Sequence, residues 1–139
     1  MDKEELNVKS ETSTVSYVIG ELERFCVKHK IESDITENIA IACDEAVTNI
    51  IMHGYEGKDN GDIHVVFHFD ESSLTIELND WGHQFHPPSE ISKKPKFKLD
   101  QWEVGGFGLI LMNEFMDELR FSHDEKQKRN NLIMKKYLE

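Results

Sequence analysis

Apolar and polar residues alternate in two rhythms along this chain. From Ser10 to Lys30 the positions Val15, Val18, Ile19, Leu22, Phe25 and Cys26 recur every three or four residues, which predicts an amphipathic helix. A second helix follows, capped by Ser33 or Asp34 and running to about His53; Asp34 with Glu37 has the form of a capping box, and Gly54 ends the helix. The rhythm then shortens to two. Ile63, Val65, Phe67 and Phe69 read as a strand, residues 71–72 as a turn, and Leu74, Ile76 and Leu78 as the returning strand. Residues 4–9 predict a short first strand. A helix from Gly105 to Met116 precedes two closing strands, Glu118 to Ser122 and Leu132 to Leu138, around a polar hairpin. Strands paired in hairpins with helices inserted between them point to an α+β fold. The expected form is a two-layer sandwich in which a mixed, mainly antiparallel sheet carries helices on one face.

At 139 residues, with no internal repeat or linker, the chain reads as a single domain over 1–139. Sixteen basic against 27 acidic residues leave a net charge of −11, which argues against nonspecific binding to nucleic acid or to acidic lipid and suits a basic protein partner. No apolar run is long enough to span a membrane and the charged N-terminus is no signal peptide, so a cytoplasmic location is expected. Cys26 and Cys43 fall on apolar helix faces and read as buried thiols. His64 and His68, four apart on a strand, point the same way but lie too far apart to share one ion without other ligands.

Three segments carry candidate chemistry. In the second helix Glu45, Asn49 and His53 are spaced four apart and share one face, while Ala42, Cys43, Ala46, Val47, Ile50 and Ile51 form an apolar side. An amide oxygen suits Mg2+, and a carboxylate one turn earlier can take a proton near that metal. A polar helix face turned to water is the competing reading. Next, Asp80, Trp81 and Gly82 end a strand. A carboxylate there can accept a hydrogen bond from an exocyclic amine, although strand-ending Asp-x-Gly turns are common without a ligand. Last, Gly105, Gly106 and Gly108 open a helix, an arrangement that can hold an anion on free N–H groups or simply form a flexible loop.

In this order and at these separations, the three segments resemble the ATP-binding domain of the Bergerat-fold superfamily, which includes DNA gyrase and sensor histidine kinases. A narrower likeness is to the stand-alone anti-sigma-factor serine/threonine kinases of bacterial partner-switching systems. EAVTNIIMHGY at 45–55 resembles their N-box, DWGHQFHP at 80–87 their first glycine box in a variant ending Phe-x-Pro, and GGFGLILMNEFMDEL at 105–119 their second glycine box and its helix. Arg129, Asn130 and Leu132 resemble the closing strand.

The likeness implies that Glu45 is the general base and that Asn49 coordinates Mg2+ bridging the phosphates of ATP. It implies that Asp80 hydrogen-bonds the adenine amino group and that Gly82 leaves room for the ring. Gly106 and Gly108 would bring N–H groups to the phosphates, with Gly105 and Phe107 shaping the turn. His53 matches an N-box position without an implied role. As partners the likeness implies ATP, a protein antagonist that is phosphorylated, a sigma factor or similar regulator, and a second copy, since related kinases are often dimers.

The chain departs from the wider superfamily at Gln84, where many members carry a second glycine. That substitution keeps open an alternative: a nucleotide-gated protein-interaction module with little or no kinase activity. The long loop from Trp81 to Val104 holds Pro87, Pro88 and Pro95 and the lysines Lys93, Lys94, Lys96 and Lys98, and is expected to form a lid that brings one lysine to the phosphates.

Overall fold

The computed structural model describes residues 1–86 and 106–138. The expected lid, its lysine cluster, the three prolines and Gly105 lie outside the described residues.

The chain runs β1 (Asp2–Lys9), α1 (Ser13–Lys28), α2 (Ser33–Asn49), a π-helical turn (Ile50–Gly54), β2 (Asp62–Asp70), β3 (Ser73–Asp80), α3 (Gly106–Phe115), β4 (Glu118–Asp124) and β5 (Arg129–Tyr137). The strands form one sheet in the order β1-β2-β3-β5-β4, and all four pairings are antiparallel. The expected α+β two-layer architecture is therefore present, with a sheet antiparallel throughout its described strands. Ile63 faces Asp80 and Leu78 faces Leu132 across the ladders, so the apolar rhythm of each strand falls on one face.

That face meets the helices. Val18, Leu22 and Phe25 of α1 and Ile39, Ala42, Ala46 and Val47 of α2 are buried against Val65, Phe67, Leu74, Ile76 and Met134 of the sheet. Phe25 and Phe67 pack with ring centroids 5.7 Å apart. Both cysteines are buried and free, and burial pushes their thiols up, to about 11 for Cys26 and about 12 for Cys43. The start of the edge strand β1 is tied to the end of α1. Lys28 Nζ lies 2.8 Å and His29 Nε2 2.9 Å from the Asp2 carboxylate, and the His29 ring stacks on Phe69 at 3.9 Å.

The opposite face of the sheet carries a group of polar side chains that bond to one another. Asn131 Nδ2 donates to Asn79 Oδ1 at 2.8 Å and to Glu77 Oε2 at 2.9 Å. Asn79 Nδ2 reaches His64 Nδ1 at 3.2 Å, and His64 Nε2 reaches Glu5 Oε1 at 2.8 Å. His68 pairs with Glu77 at 3.4 Å. His64 and His68 thus share a face, as their spacing requires, and each is engaged by a carboxylate there.

Two helix boundaries differ from expectation. The first helix starts at Ser13 rather than Ser10, because Ser10 is buried as a clasp: its N–H donates to the Gly61 carbonyl at 2.9 Å and its Oγ accepts from the Gly61 N–H at 2.9 Å. The second helix has Glu32 at its cap with no side-chain cap bond, so neither Ser33 nor Asp34 closes a capping box; Asp34 lies instead in the first turn, where its charge suits the helix dipole.

Phe67 is fully buried where β2 meets α1. Replacing it with alanine should cost about 3–5 kcal/mol in urea unfolding, seen as a lower midpoint at an unchanged slope. A loss under about 1 kcal/mol would show that this core is not the one described.

Candidate functional site

α2 has to serve two layers. Its apolar side enters the core, and Glu45 and Asn49 are left half-buried on the other side, where Asn49 lines a cleft and Glu45 lies one turn before it. After Asn49 the helix widens into the π-helical turn, in which the Tyr55 N–H donates to the Ile50 carbonyl at 3.0 Å. Such turns re-aim side chains and concentrate at functional sites. The expectation of one continuous α-helical face through His53 is corrected accordingly. Glu45 and Asn49 share the α-helical part, whereas His53 sits in the wider turn, exposed, and still lines the cleft.

The cleft has a volume of about 670 Å³, counting space open to solvent. Ala46, Asn49, Ile50 and His53 line it from α2 and its turn; Asp80, His83, Gln84 and Phe85 from the end of β3 and beyond; Met112 from α3; and Phe121, Asn130 and Leu132 from β4 and β5. Phe85 and Phe121 pack with centroids 5.1 Å apart and form an aromatic wall.

Both glycine segments close on α2. A Cβ built on Gly82 would lie 2.4 Å from the Gly54 carbonyl oxygen and 2.5 Å from its carbon, so only glycine allows the Asp-x-Gly turn to lie against the π-helical turn. The His83 N–H then donates to that same carbonyl at 2.8 Å. On the other side, a Cβ on Gly108 would come within 3.6 Å of the Glu45 Cβ and 3.9 Å of its Oε2. The second glycine segment therefore opens α3 directly beside the candidate base. Gly106 and Phe107 lie in the first turn of that helix.

Tyr55 clamps the end of the turn to the sheet. Its hydroxyl donates to the Asp62 carbonyl at 2.6 Å and accepts from the Trp81 N–H at 2.8 Å. Gly61 gives its ring room, since a Cβ there would fall 2.4 Å from the ring.

Two carboxylates have raised pKa values: Asp80, which lines the cleft, and Glu45, one helical turn before the lining Asn49 and beside Gly108. Burial lifts Glu45, and the neighbouring Asp44 charge adds to it. Burial also lifts Asp80, opposed by hydrogen bonds from Asn130 and from the Gly82 N–H and by the nearby His123. A partly desolvated carboxylate is a better proton acceptor than one in water, and clustered perturbed groups in a cleft mark functional sites. The arrangement can hold a flat base against Asp80 between Gly82 and the aromatic wall, and a polyanion near the start of α3.

Asn49 offers a hard amide oxygen at the rim between these two ends. With phosphate oxygens and water completing the shell, that donor set fits Mg2+ and does not fit a softer metal. Of the predicted residues, Glu45, Asn49, Asp80, Gly82 and Gly108 are brought together. Tyr55, Phe121, His123 and Asn130 also shape the site. Their spacing gave no sign of it, except that Asn130 falls within the segment that resembles the closing strand.

Comparison with known proteins bears on this geometry. Residues 8–136 match the histidine kinase-like ATPase domain family, and the chain belongs to that family. It is 34% identical over 114 residues to the serine-protein kinase RsbW of Bacillus thuringiensis, covering 76% of this chain and 66% of that protein. It is 28% identical over 106 residues to the RsbW of Listeria innocua, covering 73% and 66%. The chain thus spans about two thirds of the length of the curated relatives it matches. The crystal structure of the RsbU and RsbW domains of Rv1364c from Mycobacterium tuberculosis shares the fold, with a TM-score of 0.68 at 15% identity, covering 98% of this chain and 32% of that one. The likeness to serine/threonine kinases read from the three boxes is met by these relatives, and the family is one of ATP-binding domains. Among the described residues no helix is long and apolar enough to cross a membrane.

The contact of Gly82 with Gly54 is backbone on backbone, so no side-chain rotation can relieve a clash there. Gly82→Ala should destabilise the protein by about 2 kcal/mol or more and weaken nucleotide binding. Gly54→Ala, whose Cβ would meet only ordinary contacts at 3.5 Å and beyond, should cost far less. Equal losses of melting temperature in the two variants would contradict the close approach.

Proposed function

We propose that this chain is an ATP-dependent serine/threonine protein kinase that phosphorylates a protein antagonist and, in a partner-switching pathway, also binds a sigma factor or similar regulator. The observation that carries the reading is the meeting of Glu45 with Gly108 on one side of α2 and of Gly54 with Gly82 at its end. Contacts between residues 63 and 28 positions apart in sequence thereby bring a base, a hard metal ligand and an adenine-reading carboxylate together. The similarity to RsbW serine-protein kinases supports the acceptor class.

In this reading Asp80 holds the adenine amino group, Gly82 admits the ring, and the N–H groups of Gly106 and Gly108 receive the phosphates. Asn49 would hold Mg2+, which when bound neutralises charge on the phosphates. The acceptor hydroxyl oxygen attacks the γ-phosphorus as its proton passes to Glu45, and the bond from phosphorus to the bridging oxygen breaks, releasing ADP. Burial beside α3 keeps Glu45 desolvated enough to take that proton. The acidic surface suits a basic protein partner, a homodimer is consistent with the family resemblance, and a cytoplasmic setting fits the intracellular supply of ATP. Gln84, exposed at the cleft in place of a glycine, favours one second reading, a nucleotide-gated interaction module with little kinase activity.

Transfer of label from γ-labelled ATP to a candidate antagonist protein separates the two. Glu45→Ala should keep ATP binding and lose about two to four orders of magnitude in transfer rate; normal transfer would remove Glu45 as base. Asn49→Ala should lose the Mg2+-dependent part of nucleotide affinity, read by titration with and without chelator.

The pH dependence has a definite sign. Glu45 accepts a proton only when ionised, and its pKa is raised, so the transfer rate should climb with pH along a limb lying above the ordinary glutamate value of 4.5. A rate profile whose acid limb falls at or below that value would count against Glu45 as base.

A further inference from the structure

The Asp80 carboxylate is held from behind by a relay of side chains. Its Oδ1 accepts from the Gly82 N–H at 2.9 Å and from Asn130 Nδ2 at 3.0 Å. The same Asn130 nitrogen lies 3.2 Å from the Gly82 carbonyl and 3.1 Å from the His83 carbonyl. All three partners of that nitrogen are acceptors, so the amide can face them only through its NH2 group, and its Oδ1 must point the other way. There it meets His123 Nδ1 at 2.8 Å. An amide oxygen only accepts, so that ring nitrogen carries a hydrogen. The His123 side chain is 12% exposed, and its Nε2 lies 3.7 Å from Glu125 Oε2, which steadies the ring from its outer side.

We propose that Asn130, oriented by His123, is the positioning residue that makes this cleft select a 6-amino over a 6-oxo purine nucleotide. The proposal rests on the reading of the cleft as a nucleotide site. With Oδ1 engaged twice, Asp80 presents Oδ2 to the base as a pure acceptor, which an exocyclic amine satisfies and a ring carbonyl does not. The same Asn130 group straps the backbone of Gly82 and His83 to β5, fixing the carboxylate and the turn that flanks the base as one unit. The relay spans β3, the turn after it, β5 and β4. His123 and Asn130 sit opposite each other in the last ladder, so the strand register itself brings them together.

The test compares dissociation constants for Mg-ATP and Mg-inosine triphosphate, which differ at the purine 6-position, by competition against a fluorescent nucleotide. The wild-type protein should prefer ATP. Asn130→Leu should shrink the ATP-to-inosine preference by about tenfold to a hundredfold, the effect of one hydrogen bond to a charged group, with inosine triphosphate affinity changed much less. His123→Leu should shrink it in the same direction, and His123→Asn, which restores a donor near Nδ1, should recover most of it.

A merely structural role would weaken both nucleotides alike and leave the ratio intact, and that result overturns the proposal. If Asn130→Leu does not fold, the His123 pair decides: equal ratios in His123→Leu and His123→Asn overturn it. A wild-type protein that binds neither nucleotide overturns the site reading along with it. A wild type that prefers ATP, with a preference none of the variants changes, overturns this inference alone.

Discussion

The site depends on one backbone contact: the turn after β3 lies against the π-helical turn at the end of α2, with Gly82 where any side chain would collide with the Gly54 carbonyl. From that contact the rest of the cleft follows. It places Asp80 beside the helix that carries Asn49 and lets the His83 N–H satisfy the freed Gly54 carbonyl. It also brings the Trp81 N–H within reach of the Tyr55 hydroxyl. Gly54 is the last residue of the widened turn after Asn49, so local backbone geometry and long-range assembly meet at one residue. The second constraint, Gly108 against Glu45, sets the start of α3 against α2 beside the candidate base.

Energetically the two layers have separate tasks. The apolar face of the sheet and the inner sides of α1 and α2 supply the burial that holds the domain together. Polar groups placed within the sheet must find partners or cost free energy. The buried Arg129 Nε finds none among the described residues, and two sets of other groups bond to one another. On the open face Asn79, Asn131, His64 and the flanking carboxylates form a ladder that closes on itself. On the helix-covered face, Asp80, Asn130 and His123 form a shorter relay that ends at the cleft. The first set reads as scaffold, because its groups are used up by one another. The second includes Asp80, which lines the cleft although it is largely buried.

Much of this was legible in the chain itself. The period-two runs from Ile63 to Phe69 and from Leu74 to Leu78 placed β2 and β3, and the Val18–Leu22–Phe25 stripe placed α1, because burial on one face leaves a direct trace in residue order. Element ends were less legible. Ser10 looks like helix until its clasp with Gly61, 51 residues away, claims it. The capping box at Asp34 did not form because the helix starts earlier, from Glu32. The site was legible where glycine or a carboxylate is out of place on its element, at Glu45, Asp80, Gly82 and Gly108. Tyr55, Phe121 and His123 were silent. An aromatic or a histidine at an inward position reads as ordinary core, and only strand register and turn geometry show what it touches. Asn130 gave a partial signal, as part of the segment that resembles the closing strand.

The central claim is that α2, the turn after β3 and the start of α3 together form the surface that binds nucleotide. It is tested most directly by following backbone amide resonances while Mg-ADP is titrated into the protein. The account predicts that the largest shifts fall at Asn49 to Gly54, Gly82 to Phe85 and Gly106 to Met112, with Asn7, His64 and His68 on the open face of the sheet unmoved. Shifts centred on that open face, or none at saturating nucleotide, would contradict it.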